Sequence, residues 1–142
     1  TRVGITQLIS LESEFPACDN KLLAQFGISG FSLPMPDMKA PAINEAFTCC
    51  QQVASLIAEG ERVAFHCKAG IGRTGTMLVA YLIYSGQPLA LALTSARAIE
   101  PRWVQSSIQE SFLADFAAHV ASTPKNVETT STIHTPTIHT TI

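Results

Sequence analysis

One continuous stretch in the middle of the chain constrains the fold more than any other. It begins with the compact apolar run RVAFH (62–66), continues through a glycine-containing loop, and ends with TGTMLVAYLIYSG (74–86). The last run has too few polar positions for a surface helix, so we predict a buried helix. A buried strand that leads into a buried helix is typical of α/β proteins. The N-terminus of such a helix is also a favourable site for an anion.

Strand-like and helix-like segments alternate on both sides of this stretch. Short β-rich runs indicate the strands, and apolar residues at i, i+3, i+4 and i+7 indicate the helices. The first three elements form a β-α-β unit. In chain order we expect strands at 4–11 and 28–34 around a helix at 18–27, a helix at 41–59, a strand at 62–66, and helices at 74–86, 88–99 and 105–121, the last with Ile108, Phe112, Phe116 and Val120 on its apolar face.

Length and composition indicate one domain. With 142 residues, of which 46% are hydrophobic, the chain can bury one core and is too short for two. From Ser122 onward the sequence is rich in threonine and has no aromatic residue, and IHT occurs at 133–135 and again at 138–140. We therefore expect a domain over 1–121 and a disordered tail over 122–142.

Charge and cysteine content indicate the environment in which this domain works. The formal net charge of −2 gives no general attraction to nucleic acids or acidic membranes, so anion binding has to be local. No apolar run is long enough to span a membrane, and the four cysteines lack the spacing of a metal site or a disulfide framework. We expect a cytoplasmic protein with reduced thiols and with neither a nucleic acid nor a membrane partner; no oligomeric state is indicated.

The loop HCKAGIGRTG (66–75) contains a glycine pattern typical of nucleotide-binding proteins. Residues 70–75 fit G-x-G-x-x-G, but a dinucleotide site also needs an acidic residue about 20 positions later, at the end of a strand. Residues 93–99 contain neither Asp nor Glu. A Walker A loop does not fit either, because Arg73 stands where that loop requires lysine. The glycine pattern alone is weak support for either site.

Cysteine chemistry accounts for more of the same loop. Cys67 follows the strand, where backbone N–H groups, the helix N-terminus and the Arg73 guanidinium favour a thiolate. An arginine side chain can bind two phosphoryl oxygens at once. Gly70 and Gly72 let the backbone curl with its amides inward, and Thr74 can donate its hydroxyl to the sulfur. The loop therefore predicts a nucleophile for a phosphate monoester.

Such a reaction needs an acid that protonates the leaving oxygen. The segment 34–41 contains three prolines and a single carboxylate, Asp37. In isolation, Asp37 would be interpreted as a surface residue in a turn. Together with the cysteine loop, it is the candidate general acid, and Glu12, Glu14 and Asp19 are the next candidates.

The residues His66 to Thr74 resemble the H-C-x5-R-[ST] signature of the cysteine-based protein tyrosine phosphatases. The longer run HCKAGIGRTGTML is most similar to the dual-specificity branch. The resemblance extends from about residue 4 to about residue 120, with LPMPD similar to the acid loop and VQSSIQESFLADF similar to the terminal helix. It implies a mixed β-sheet flanked by helices, a cysteinyl-phosphate intermediate, and neither a metal nor a cofactor.

The resemblance also implies roles for individual residues. Phosphate would be held by Arg73 and the loop residues Lys68, Ala69, Gly70, Ile71 and Gly72. His66 would support the cysteine, and we expect its side chain to be buried. Gln105 and Gln109 match the spacing of glutamines that orient the hydrolytic water in some members; exposed polar residues at the start of a helix are an equally good interpretation.

The substrate class stays open among several alternatives. No phosphotyrosine-depth loop is recognisable, which favours a shallow pocket open to phosphotyrosine and to phosphoserine or phosphothreonine on proteins. Phosphoinositide phosphatases have a second lysine where this chain has Ile71, so with Lys68 alone an inositide is less favoured. An RNA 5′-phosphate, a non-catalytic phosphate-binding module on the same fold and a rhodanese-like sulfurtransferase are the remaining alternatives.

Two further expectations concern the edges of the domain and its other thiols. Dual-specificity domains carry further strands and a helix before the segment 4–11, so this chain is either a fragment that lacks an edge of the sheet or a short version of the domain. An open strand edge invites pairing with another chain. One of Cys18, Cys49 and Cys50 is a candidate partner for a protective disulfide with Cys67.

Overall fold

The computed structural model describes residues 4–13, 20–68 and 71–123. Every predicted strand and helix is present, with each boundary within three residues of its expected position. The elements are β1 (Gln7–Glu12), α1 (Asn20–Gln25), β2 (Ser29–Met35), α2 (Ile43–Ala58), β3 (Val63–His66), α3 (Gly72–Tyr84), α4 (Leu89–Ile99) and α5 (Ser107–Ser122). The α/β class expected from the sequence is confirmed.

The described strands form a parallel sheet in the order β2-β1-β3. The central strand β1 pairs with both neighbours, with Ser10 opposite His66 and Glu12 opposite Met35. The β-α-β unit predicted at the start of the chain is therefore present. Because the strands run in the same direction, their carboxyl ends meet at one edge of the sheet, which is where α/β proteins bind their ligands. The loops that carry Asp37 and Cys67 both leave from this edge.

Helix α3 forms the centre of the helical layer and packs against α2, α4 and α5. Its residues from Gly72 to Met77 are all buried, in agreement with the prediction of a buried helix. The connection between α4 and α5 presses against this first part of α3. A Cβ atom added to Gly75 would lie 2.5 Å from the Cβ of Trp103, so only glycine permits this close approach.

The buried face of α5 differs from the predicted one at its first turn. Phe112 and Phe116 are buried as expected, but Ile108 is 45% exposed and Gln109 is fully buried. Positions four residues apart advance by about 40° beyond a full turn of an α-helix, so such a series drifts off one face. The face that points to the core is instead formed by Gln109, Phe112, Leu113 and Phe116, at i, i+3, i+4 and i+7.

Some of the expectations concern the ends of the chain and the internal segment 14–19. Helix α5 continues to Ser122, one residue past the expected domain boundary. The tail expected to be disordered lies outside the described residues from position 124 onward, as do Glu14, Cys18 and Asp19. Among the described strands, β3 is paired on one side only, with β1. None of the described helices has the length and apolar character needed to cross a membrane.

Candidate active site

The thiol of Cys67 lies directly after β3 and beside the first turn of α3. Cys67 is 4% exposed, and the Oγ1 hydroxyl of Thr74 donates a hydrogen bond to its sulfur across 3.0 Å. Thr74 itself is buried in the first turn of α3. At this end of a helix the backbone N–H groups and the helix dipole both favour negative charge. The sulfur therefore lies where the negative charge of a bound phosphoryl group is favoured.

The guanidinium of Arg73 lies under the end of β2. The side chain is 2% exposed, and its Nη1 donates a hydrogen bond to the carbonyl oxygen of Met35 across 3.1 Å. Its Nε lies 3.8 Å from a carboxylate oxygen of Asp37. Arginine cannot be deprotonated in a protein, so this site contains a permanent buried cation. Burial in a low dielectric strengthens its attraction for an anion that enters the site.

The carboxylate of Asp37 lies on an exposed turn next to this buried cation. Its side chain is 70% exposed, and one of its oxygens accepts a hydrogen bond from the backbone N–H of Met38 across 3.0 Å. The turn is closed by the N–H of Lys39, which donates to the carbonyl of Pro36. The structure thus brings Asp37 close to Arg73, and an incoming ester can reach its carboxylate.

The two glutamines differ in their surroundings, although both lie close to the first residue of α3. A Cβ added to Gly72 would be 2.7 Å from Oε1 of Gln105 and 3.2 Å from Nε2 of Gln109. Gln105 is exposed, in agreement with its interpretation as an exposed polar residue at the start of a helix. Gln109 is fully buried, so its interpretation as an exposed residue is wrong. It occupies a core position of α5 that four-residue spacing assigned to Ile108.

Hydrogen bonds fix the amide of Gln109 on both sides. Its Oε1 accepts from the backbone N–H of Gln105 across 2.8 Å and from that of Ser106 across 3.2 Å. Its Nε2 donates to the carbonyl of Lys39 across 3.2 Å. Ser106 and Gln109 form a capping box at the start of α5. The sequence contains this signal, because a serine three residues before a glutamine at the start of a helix is typical of the motif.

The expectation that the His66 side chain is buried is wrong. This side chain is 45% exposed, and its Nε2 lies 3.6 Å from Oε1 of Glu12. His66 is the last residue of β3, and among the described strands only β1 pairs with β3. Glu12, considered above as a replacement acid, lies beside this histidine at the carboxyl edge of the sheet.

Only the two ends of the phosphate loop belong to the described residues. Lys68 is exposed and Ile71 is partly buried, whereas Ala69 and Gly70 lie outside the described part of the chain. Among the residues that the structure describes, no cluster of three or more His, Cys, Asp or Glu side chains could hold a metal ion.

The described cysteines Cys49, Cys50 and Cys67 are all free thiols. Cys67 accepts a hydrogen bond from Thr74 at the start of α3. A protective disulfide of Cys67 stays a prediction. Its two described candidate partners, Cys49 and Cys50, are neighbours in α2, and both are buried there.

Burial also keeps these two thiols protonated. It raises the pKa of Cys49 from the usual 9.0 to about 11. Burial, and secondly the neighbouring Cys49, raises the pKa of Cys50 as well. Protonated thiols are poor nucleophiles and resist oxidation, which fits a packing role in α2.

A groove of about 430 Å³ lies at the opposite end of the sheet from Cys67. Its lining includes Gln7 at the start of β1, Phe31 of β2 and Gln51 and Ser55 of α2. None of its lining residues is ionisable. This groove therefore lacks the groups that an acid–base or nucleophilic reaction requires.

Comparisons with known proteins identify the family of this chain. Residues 1–87 match the family model Tc-R-P, described as "Polymorphic toxin system, DSP-PTPase phosphatase". The chain is 33% identical over 67 residues to the tyrosine-protein phosphatase CDC14 of Saccharomyces cerevisiae, which covers 47% of this chain and 12% of that protein. It is 34% identical over 83 residues to the dual specificity protein phosphatase CDC14B of Mus musculus, covering 56% of this chain and 16% of that protein. The chain thus spans less than a fifth of these relatives.

Solved structures resemble this fold over most of its length. Tk-PTP in its active form has a TM-score of 0.76 and 28% identity, with 81% of this chain and 80% of that chain covered. Human DUSP28 has a TM-score of 0.71 and 18% identity, with 83% and 80% covered, and this similarity concerns the fold alone. The family match spans more than half of the chain. The chain therefore belongs to the DSP-PTPase phosphatases of polymorphic toxin systems, a branch of the cysteine-based tyrosine phosphatases of dual-specificity type.

Proposed function

We propose that this chain hydrolyses phosphate monoesters on proteins, on phosphotyrosine and also on phosphoserine and phosphothreonine, through a cysteinyl-phosphate intermediate. One observation carries the proposal. The nucleophile Cys67 is followed by a buried arginine whose guanidinium lies 3.8 Å from the exposed carboxylate of Asp37. The candidate nucleophile, the cation and the candidate acid therefore all lie at the carboxyl edge of the sheet.

In the first step the Cys67 thiolate attacks phosphorus, and a sulfur–phosphorus bond forms as the bond from phosphorus to the leaving oxygen breaks. The leaving oxygen takes the bonding electron pair together with a proton from the Asp37 carboxyl. The Arg73 guanidinium and the N-terminus of α3 stabilise the charge on the remaining phosphoryl oxygens. The dephosphorylated protein then leaves with its hydroxyl restored.

In the second step water attacks the phosphorus of the intermediate. The Asp37 carboxylate takes a proton from this water, the sulfur–phosphorus bond breaks, and inorganic phosphate is released. Thr74 donates to the departing sulfur at 3.0 Å and so favours its release as a thiolate. The exposed amide of Gln105 lies against Gly72 and is the better placed of the two glutamines to orient the water.

The exposure of Asp37 supports a broad choice of protein substrates. With 70% of this side chain exposed, the acid lies close to the surface rather than at the bottom of a deep cleft, within reach of a short phosphoserine as well as phosphotyrosine. The family description suggests that this hydrolysis is the harmful activity of a toxin. We propose that it acts on phosphoproteins in the cytoplasm of the affected cell.

A phosphoinositide is the second candidate substrate. One structural neighbour, with a TM-score of 0.73 and 22% identity, is PTPMT1 in complex with PI(5)P. In this chain Lys68 is the only cation among residues 67–72, the loop between β3 and Arg73, and the uncharged Ile71 follows it. A single phosphate ester can be neutralised by the charges of this site. A multiply charged inositide head group needs more positive charge than this loop offers. RNA 5′-phosphates and a purely binding role are the other outcomes to be tested.

The proposal is tested by presenting one preparation with four substrates in the presence of a metal chelator. These are a phosphotyrosine peptide, a phosphothreonine peptide, a phosphoinositide in vesicles and an RNA with a 5′-triphosphate. We expect phosphate release from both peptides and much less from the inositide and the RNA, and none with Cys67→Ser. Turnover of the inositide alone would show that the chain is a phosphoinositide phosphatase and would contradict the proposed function. Binding without turnover of any substrate would indicate a phosphate-binding module.

A further inference from the structure

We propose that Gln109, together with Ser106, is a positioning residue that holds the loop of the general acid Asp37, and that it does not orient the hydrolytic water. The inference rests on the proposed function. Its physical basis is a joint between the start of α5 and the turn at 36–39. Through this joint, helix α5 sets the position of an acid that lies far away in the sequence.

The first observation is that the Gln109 oxygen has no capacity left for a water. An amide oxygen accepts two hydrogen bonds, and both are made here by the backbone N–H groups of Gln105 and Ser106. The side chain is also fully buried. A residue that orients the attacking water has to accept or donate a hydrogen bond in the open part of the site. Gln105 is exposed there, whereas Gln109 is not.

The second observation is that two successive carbonyl groups of the acid loop are held by the same capping box. The Oγ of Ser106 donates to the carbonyl of Met38 across 2.7 Å, and Nε2 of Gln109 donates to the carbonyl of Lys39 across 3.2 Å. Ser106 also accepts from the backbone N–H of Gln109 across 3.1 Å. These carbonyls directly follow Asp37, so the contacts fix the backbone that carries the acid.

The third observation is backbone strain on both sides of the joint. Met38 and Val104 are the residues other than glycine with a positive φ in the described part of the chain, at 62° and 66°. Each such conformation costs on the order of 1–3 kcal/mol and persists only where surrounding contacts hold it. At Met38 this contact comes from Ser106. At Val104 it comes from Arg97, which donates to the carbonyls of Trp103 and Val104.

As a consequence, the contacts with Ser106 and Gln109 hold the Asp37 carboxyl group in position before the substrate binds. A loop released from Ser106 and Gln109 would let Met38 relax toward a negative φ and would move the Asp37 carboxylate away from the leaving oxygen. A misplacement of about 1 Å can lower a rate by roughly 10²-fold. This loss would be confined to substrates that need the acid. Phosphate binding by Cys67 and Arg73 would be unaffected.

The variant Gln109→Glu isolates the contact with the acid loop. A carboxylate still accepts the two backbone N–H groups, and glutamate is the usual partner of serine in a capping box, so α5 is retained. These donors and the helix dipole keep the carboxylate ionised at pH 7.5. It can no longer donate to Lys39, and it faces that carbonyl with a negative charge. Ser106→Asp applies the same logic, since aspartate caps a helix but cannot donate to Met38.

For Gln109→Glu and Ser106→Asp we expect kcat on an alkyl phosphate to fall by roughly 10- to 100-fold, a part of the full effect of a general acid. Turnover of an aryl phosphate with an acidic phenol should change by less than about twofold. In an Asp37→Asn background the same variants should have no further effect, because they act through the acid. Gln105→Ala is the matched control: it should slow the second step, giving a burst of phenol release with kcat/KM unchanged.

Hydrogen exchange provides a measurement independent of catalysis. In Gln109→Glu the amide of Lys39 should exchange faster while the amides in the middle of α5 keep their protection. Unchanged exchange at 36–40 would overturn the positioning role, and so would a burst of phenol release from Gln109→Glu like that of Gln105→Ala. Absence of turnover by the unaltered chain would contradict the proposed function instead, and the exchange result would still decide whether Gln109 holds the loop.

Discussion

The hydroxyl of Thr74 and the sulfur of Cys67 are joined by a hydrogen bond of 3.0 Å inside the site. Hydrogen bonds to charged groups contribute about 1.5–3 kcal/mol, and this one counts most when the sulfur leaves phosphorus as a thiolate. We therefore expect Thr74→Ala to lower kcat by roughly 10- to 100-fold, with cysteinyl-phosphate accumulating. Rapid-quench measurement of the phosphoenzyme checks this. Thr74→Ser keeps the hydroxyl and should retain most of the activity.

Replacing the nucleophile separates binding from turnover. Cys67→Ser removes the thiolate but leaves Arg73 and the N-terminus of α3 intact, so turnover should fall below detection while phosphate or vanadate binding stays measurable by calorimetry. Arg73→Lys is the complementary variant, since a lysine cannot bind two oxygens in one plane and should weaken anion binding. Turnover that survives in Cys67→Ser would exclude the covalent mechanism.

The role of Asp37 is tested by the leaving group. Its removal should hardly affect an ester of an acidic phenol, and should lower kcat on phosphoserine by roughly 10²–10⁴-fold, the usual contribution of a general acid. Phosphopeptide binding should survive, so Asp37→Ala should act as a substrate trap. The measurement is kcat across aryl phosphates of graded leaving-group acidity. If kcat depends on the pKa of the leaving group with the same slope in the wild type and in Asp37→Ala, another group is the acid. Glu12 would then be examined next.

The contact between Gly75 and Trp103 predicts a loss of stability together with a loss of activity. An alanine Cβ would lie 2.5 Å from the Trp103 Cβ, and overpacking of this kind costs about 1–3 kcal/mol. Gly75→Ala should therefore lower the free energy of unfolding measured in urea. It should also lower kcat, because the displaced connection carries Gln105 and Ser106. Gly27→Ala is the control: its Cβ meets open space at a φ of 72°, so only stability should fall.

The buried thiols predict a loss of stability at high pH. The pKa of Cys49 is raised from 9.0 to about 11 by burial, so below pH 9 the thiol is protonated in the folded and unfolded chains alike. Above pH 9 the unfolded chain ionises first, which lowers the free energy of unfolding until about pH 11, by about 3 kcal/mol in total. Urea unfolding of the wild type and Cys49→Ala between pH 8 and 11 measures this. A constant difference between the two proteins would contradict the prediction.

The sequence predicted the elements of the fold because each has a local cause. Adjacent residues determine the apolar strand at 62–66 and the nearly uniform burial of α3. They also determine where helices end, as at Gly27 and Gly60. Both glycines have positive φ, at 72° and 90°, as residues that end helices often do. The cysteine, the arginine and the threonine of the candidate site could be predicted for the same reason, since one short loop contains all three.

The remainder of the site depends on contacts between distant segments. Gln109 bonds to Lys39 across 70 positions, and Ser106 bonds to Met38 across 68. A spacing of four residues assigned the core position of α5 to Ile108, whereas the cap at Ser106 orients the first turn so that Gln109 faces inward. The capping box is recognisable in the sequence and predicts that the Gln109 side chain makes hydrogen bonds at the start of α5. It does not predict the hydrogen bond to the loop that contains Lys39. For His66, burial was overestimated because the exposure of a residue at a strand end depends on distant segments that the local sequence does not specify.

The joint between the acid loop and α5 also affects the order in which the site is completed during synthesis. A ribosome releases β3, the cysteine loop and α3 before residues 106–109, so a partial chain contains its nucleophile but lacks the contacts that fix its acid. Helix α5 is the last described element, and its docking on α3 closes the core and orders the acid loop in the same event. Full activity toward alkyl phosphates is therefore expected only after α5 has folded.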